Sequence, residues 1–167
     1  MDNNKLLKGL YPISPNLYKS DIDYLNNLKC VIESKINIFQ FRSKYLSFRR
    51  KRYLLKKTAM MCQDNNVKLI INDEYNLIKT FDLNGLHIGS DDRDLIAARK
   101  YFGKKIIIGK SCYNSIELAK YSMDNGASYV SFGAMYPTKS KESAIMAKHS
   151  VLVNAKKIIK IPICVIG

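Results

Sequence analysis

At 167 residues, 47% apolar and 25% charged, the chain is large enough for one domain with a sizeable core and has an ordinary globular composition. No apolar run reaches the roughly 20 residues of a membrane-spanning helix, and the opening MDNNKLLKGLYPIS has no signal-peptide layout, because Pro12 interrupts a short apolar part. The formal charge of +14 fits either a nucleic acid or a phosphate-rich small molecule, and a general enrichment in Lys, Asn and Ile accounts for it equally well. The densest basic cluster, Arg49, Arg50, Lys51, Arg52, Lys56 and Lys57, falls in a helix-like stretch whose Leu54, Leu55, Ala59 and Met60 face a core. That pattern predicts a solvated helix face, and no interleaved aromatics suggest a nucleic-acid platform. Cys30, Cys62, Cys112 and Cys164 are widely spaced without a CxxC pair. This argues against a zinc site or disulfide framework and for a reducing cytoplasm.

In chain order, short apolar runs alternate with helix-like stretches. Strands are expected at residues 10–14, 36–42, 67–72, 85–89, 105–109, 129–133 and 162–166. Helices are expected at residues 22–34, 47–64, 75–81, 94–102, 114–125 and 151–159, with Asn114 as an N-cap and Gly126 as a C-cap. Alternation at this period predicts stacked βαβ units around a parallel sheet. Neither GxGxxG nor GxxxxGK[ST] occurs, so the two commonest nucleotide loops are absent. Polar residues instead follow one strand after another, as on the C-terminal face of a (β/α)8 TIM-type barrel. The expected architecture is therefore a single α/β domain over residues 1–167 that stops at its seventh strand.

The second expected strand carries the most information. In residues 36–44, INIFQFRSK, Gln40, Arg42 and Lys44 recur at every second position and so share a face. An amide and two cations there need either a ligand or water, and both readings stay open on this stretch alone. Asn72 and Asp73 end the next strand, and Asp91 and Asp92 follow Gly89 after the fourth. Asp73 with one of the later pair could supply hard oxygen ligands to Mg²⁺; capping of the following helices is the alternative. Ser111 follows IIIGK, and Thr138, Lys139, Ser140 and Lys141 crowd a loop behind Pro137. Both suit phosphate, and both are ordinary for polar loops. His87, inside a strand, reads as a satisfied core residue, and no nucleophile–His–acid triad is visible.

Taken in order, QFRSK, IIND, GLHIGSDD, GKS, YVSFGAMYPTKSK and IPICVIG resemble the motifs of the thiamine-phosphate synthase family over residues 10–167. The resemblance implies a transferase that couples 4-amino-2-methyl-5-(diphosphooxymethyl)pyrimidine to 4-methyl-5-(2-phosphooxyethyl)thiazole, releasing diphosphate and thiamine phosphate. It implies that Gln40, Arg42, Lys44, Asn72 and Lys141 hold the pyrimidine diphosphate, with Ser111 near the leaving group. Arg42, Lys44, Ser111 and Lys141 would carry the catalytic roles. Thr138, Ser140 and Gly167 would contact the thiazole phosphate, and Asp73 and Asp92 would bind Mg²⁺. Small phosphorylated substrates, rather than nucleic acid or membrane, would be the partners.

Three departures stand out. Ser90 replaces the usual Gln, Ser140 replaces Thr while keeping a hydroxyl, and Cys112-Tyr113 replaces a pair ending in His. The related thiazole tautomerase uses a His in that neighbourhood, so Tyr113 and the intact PTKSK loop favour the synthase over the tautomerase. The family also continues past VIG into another helix and an eighth strand, whereas Gly167 is the last residue here. The expectation is a C-terminally incomplete barrel, either a truncated product or a partial domain that is inactive or covers its open flank by association with another copy. A relative that binds a phosphorylated ligand without turnover is the alternative.

Overall fold

A computed structural model of the chain describes residues 7–89, 95–137 and 146–167. Helices and strands alternate as α1 (Asp21–Glu33), β1 (Ile38–Phe41), α2 (Phe48–Asp64), β2 (Lys68–Asn72), α3 (Asn76–Thr80) and β3 (Gly85–Ile88). They continue as α4 (Leu95–Phe102), β4 (Ile107–Tyr113), α5 (Ile116–Asp124), β5 (Tyr129–Phe132), α6 (His149–Ile158) and β6 (Ile163–Val165). The strand order of the sheet follows the chain, β1-β2-β3-β4-β5-β6. Two compact units divide within β3, one spanning Lys5–Leu86 and the other containing His87–Gly167.

In the Lys5–Leu86 unit, β1 and β2 pair in parallel, with Ile38 opposite Lys68 and Phe41 opposite Ile71. Their C-terminal ends therefore lie side by side. Ile38, Phe39, Phe41, Leu69, Ile70 and Ile71 are all buried, as near-continuous apolar strands covered on both faces should be. Helix α1 turns Tyr24, Leu28 and Ile32 inward, and α2 turns Leu54, Leu55, Thr58 and Cys62 inward. Tyr24 and Thr58 join the two helices through their hydroxyls at 3.0 Å. Ser20 and Ser47 cap them, accepting from the amides of Asp23 and Arg50. Along α2, Arg49, Lys56 and Lys57 are exposed, Arg50 binds Asp21, Lys51 pairs with Glu74, and Arg52 lies over the rings of Phe48 and Phe81. The basic cluster is thus the solvated helix face that its spacing predicts, although Met60, expected to face the core, is half exposed and Thr58 and Cys62 take the inward positions with Leu54 and Leu55.

The expected first strand at residues 10–14 forms one parallel bridge, Ile13 to Gln40. Gln40 N donates to the Pro12 carbonyl and Ser14 N to the Gln40 carbonyl, both at 2.9 Å. Pro12 has no amide to extend the ladder and Pro15 ends it, so pairing stops there.

In the unit containing His87–Gly167, β4, β5 and β6 pair in parallel. Gly109 faces Tyr129, Ser111 faces Ser131, and Phe132 faces Val165. The strand expected at residues 105–109 instead runs to Tyr113, with a register shift between Ser111 and Tyr113. Ser111 is therefore a strand residue rather than a loop residue, because Ser131 on β5 continues the ladder alongside it. Helix α5 is capped by Ser115, whose hydroxyl accepts from Leu118 N. Asn114, the expected cap, accepts from Lys148 N at 3.0 Å instead. At the N-terminal ends of β4 and β5, Arg99 donates to the carbonyls of Gly103, Gly126 and Ile106 and to Ser128 Oγ.

Candidate functional site

The alternation expected for INIFQFRSK has a physical counterpart at the end of β1. Gln40 is only 2% exposed, and its Nε2 donates to Tyr11 Oη at 3.0 Å. The Arg42 guanidinium donates through Nη1 to Asn16 Oδ1 at 2.8 Å. Its backbone is held by Ser14, whose hydroxyl accepts from Arg42 N and donates to Arg42 O. The segment before β1 therefore orients both side chains. Lys44 is exposed beyond the strand. Ser43 Oγ is buried with no hydrogen-bond partner among the described residues.

At the neighbouring strand end, Asn72 Nδ2 donates to Asp73 Oδ2 at 2.6 Å. Asp73 adopts a left-handed backbone with φ of 60°, which Asp and Asn tolerate better than most residues. Helix α3 has Tyr75 at its N-cap, and the Tyr75 side chain makes no capping hydrogen bond. The N-cap position thus falls to Tyr75 rather than to Asp73. The other proposed carboxylate, Asp92, lies outside the described residues, as do Asp91, Thr138, Lys139, Ser140 and Lys141.

In the unit containing His87–Gly167, Ser111 meets His87. The buried imidazole lies between two hydroxyls, Nε2 at 2.9 Å from Ser111 Oγ and Nδ1 at 2.9 Å from Tyr129 Oη. Lys110, one residue before Ser111, turns to the opposite face and donates to the Gly89 carbonyl at 2.8 Å. Burial pushes the Cys112 thiol up to about 11, so it supplies no thiolate nucleophile beside Ser111 at neutral pH. The loops after β5 and β6 close on each other, with Met135 N donating to Ile166 O at 2.9 Å. A Cβ on Gly167, at φ of 137°, would lie 2.4 Å from Met135 N, so only glycine brings the chain that close.

The sequence pattern did not single out the supports of this arrangement. Tyr11, Ser14 and Asn16 come from a segment marked mainly by its prolines, and the pairing of His87 with Ser111 joins residues 24 apart. The alternation in GLHIG was the available signal for His87, since it places the ring on one defined face of β3. Among the described residues, no three His, Cys, Asp or Glu side chains gather as a metal cluster. Nor is any described helix long and apolar enough to cross a membrane.

The family profile described as thiamine monophosphate synthase matches residues 10–167. The chain belongs to that family. A thiamine-phosphate synthase from Pelagibacter ubique is 43% identical over 169 residues, covering 100% of this chain and 81% of the relative. The thiamine-phosphate synthase of Nitrosomonas eutropha is 38% identical, covering 100% of this chain and 78% of its own length. Among solved structures, the thiamine phosphate pyrophosphorylase from Pyrococcus furiosus superposes with a TM-score of 0.83 at 24% identity, covering 99% of this chain and 76% of that one. The YdjI aldolase from Escherichia coli shares the fold more distantly, with a TM-score of 0.65 at 12% identity, covering 98% of this chain and 68% of that one. The α/β architecture read from the strand–helix alternation is thus the one these proteins have. As a member of the thiamine monophosphate synthase family, the chain is a transferase of thiamine biosynthesis.

Proposed function

We propose that this family member joins the aminopyrimidine diphosphate to the thiazole phosphate at the C-terminal strand ends of a (β/α)8-type frame. The bond between the pyrimidine methylene carbon and its diphosphate oxygen breaks, and both electrons leave with diphosphate. The thiazole nitrogen lone pair forms the new C–N bond, and no proton changes hands. An electron-rich aminopyrimidine stabilises positive charge on that carbon, so the protein needs no nucleophile of its own. Its main tasks are to hold two substrates in line and to stabilise the departing anion.

The observation that carries this reading is the organised end of β1. Arg42 is fixed at its backbone by Ser14 and at its guanidinium by Asn16. A guanidinium fork held in place is suited to the oxygens of a diphosphate. Gln40, anchored by Tyr11, is placed to read the aminopyrimidine, with Asn72 as a second amide. Lys44 and Lys141 add positive charge for the leaving group, and Ser111 a hydroxyl. Thr138, Ser140 and Gly167 are assigned to the thiazole phosphate.

The hard oxygen donors of Asp73 fit a divalent cation, and Asp73 and Asp92 are the residues that would hold Mg²⁺. Bound Mg²⁺ supplies charge neutralisation to the diphosphate. Calorimetric titration with the pyrimidine diphosphate tests the reading. Arg42→Ala should weaken binding by roughly tenfold or more, the scale of a lost charge-assisted pair. Unchanged affinity would contradict it.

A further inference from the structure

His87 links two hydroxyls whose roles differ. It is 4% exposed, and its ring stacks on that of Tyr129 with centroids 5.7 Å apart. Gly109 makes this possible. The β4–β5 register sets it opposite Tyr129, and a Cβ there would fall 2.0 Å from Tyr129 Cζ. Without a side chain at residue 109, the phenol lies across β4 and its hydroxyl reaches His87 Nδ1. Ser111, two residues further along the same face of β4, meets Nε2.

A neutral imidazole has one donor nitrogen and one acceptor, so two arrangements satisfy these contacts. In one, Nδ1–H donates to Tyr129 and Nε2 takes the Ser111 proton. Ser111 then presents only lone pairs, which an anionic oxygen avoids. In the other, Tyr129 donates to Nδ1 and Nε2–H donates to Ser111 Oγ. The Ser111 proton then points away from the ring and can be given to an anion. Only the second arrangement makes Ser111 a donor to diphosphate.

We propose that Tyr129 and His87 are positioning residues that hold the Nε2–H tautomer and thereby aim the Ser111 hydroxyl proton at the leaving diphosphate. This rests on the reading above that Ser111 meets that group. His87 touches no substrate in this scheme; it acts through Ser111.

Two measurements on the full chain test it. Nitrogen-15 NMR of the imidazoles reads the tautomer directly, with His149→Gln assigning the two histidines. The expected result is Nε2–H at His87 in the parent and a mixture of tautomers in Tyr129→Phe, which keeps the ring and its packing. Kinetically, His87→Gln and Tyr129→Phe should each lower kcat, by roughly tenfold for the former, with little change in the KM of the thiazole phosphate. In a Ser111→Ala background neither should lower kcat further, because the group they act through is gone. An Nδ1–H tautomer in the parent would overturn the proposal. So would equal losses in both backgrounds, which would leave the role of Ser111 standing. Parent-level kcat in Ser111→Ala alone would remove that role and this proposal with it.

Discussion

Ser14 and Arg42 are joined twice through one hydroxyl: the Arg42 amide donates to Ser14 Oγ at 2.7 Å, and that hydroxyl donates to the Arg42 carbonyl at 2.8 Å. Strand β1 ends at Phe41, and the side chain of Ser14 takes over the pairing of the next residue. Ser14 is 5% exposed, so no water replaces it readily. Ser14→Ala strands a backbone amide and carbonyl and should cost about 1–3 kcal/mol in urea unfolding. It should also raise the KM for the pyrimidine diphosphate more than that for the thiazole phosphate. Equal effects on both would detach Ser14 from Arg42.

Asp73 separates chemistry from folding. Its φ of 60° is tolerated by Asn, so Asp73→Asn keeps the turn and should change stability by no more than about 0.5 kcal/mol. The loss of a charged oxygen ligand should lower kcat by roughly a hundredfold or more at saturating Mg²⁺. Parent activity in Asp73→Asn would remove this carboxylate from the metal assignment.

Arg99 makes the opposite prediction. It binds three carbonyls and Ser128 Oγ at the N-terminal strand ends, and burial holds its guanidinium below its ordinary value. Residues at that end of such folds serve stability rather than chemistry. Arg99→Ala should cost about 2–4 kcal/mol by leaving these acceptors unpaired, measured by denaturant unfolding, with kcat unchanged at temperatures where the variant is folded.

Three thiols set an alkaline limit. Burial pushes Cys62 up to about 12 and Cys112 and Cys164 up to about 11, from an ordinary 9.0. Above about pH 9 the unfolded chain gives up these protons while the folded chain keeps them, so unfolding gains free energy as pH rises. Their contribution is complete below about pH 9 and is lost progressively toward the folded values near 11 and 12. The urea midpoint should therefore fall between pH 8 and pH 10, and less steeply once Cys62 is replaced by Ala. Under native conditions a thiol reagent should modify exposed Cys30 first.

The parts of this molecule that the sequence announces are those governed by local periodicity. The apolar run expected at residues 36–42 contains β1, and the helical spacing marks Leu54 and Leu55 as the core of α2 against its basic face. Thr58 and Cys62, rather than the expected Ala59 and Met60, complete that core. What periodicity misses depends on neighbours distant in the chain. Residues 110–113 read as lying beyond the strand, yet they remain strand because Ser131 pairs with Ser111. Residues 10–14 read as a strand, yet Pro12 limits them to one bridge. Asn114 reads as a cap, but Ser115 takes that role while Asn114 binds Lys148. The triad of Tyr129, His87 and Ser111 spans three strands and depends on the bare backbone of Gly109. No local pattern encodes that meeting.

The most direct test is synthesis of thiamine phosphate by the purified chain from the two substrates with Mg²⁺, followed by mass spectrometry and by release of diphosphate. The prediction is stoichiometric thiamine phosphate and diphosphate, with both products greatly reduced in Arg42→Ala. A chain that binds the pyrimidine diphosphate yet releases neither product would contradict the assignment of this reaction to it.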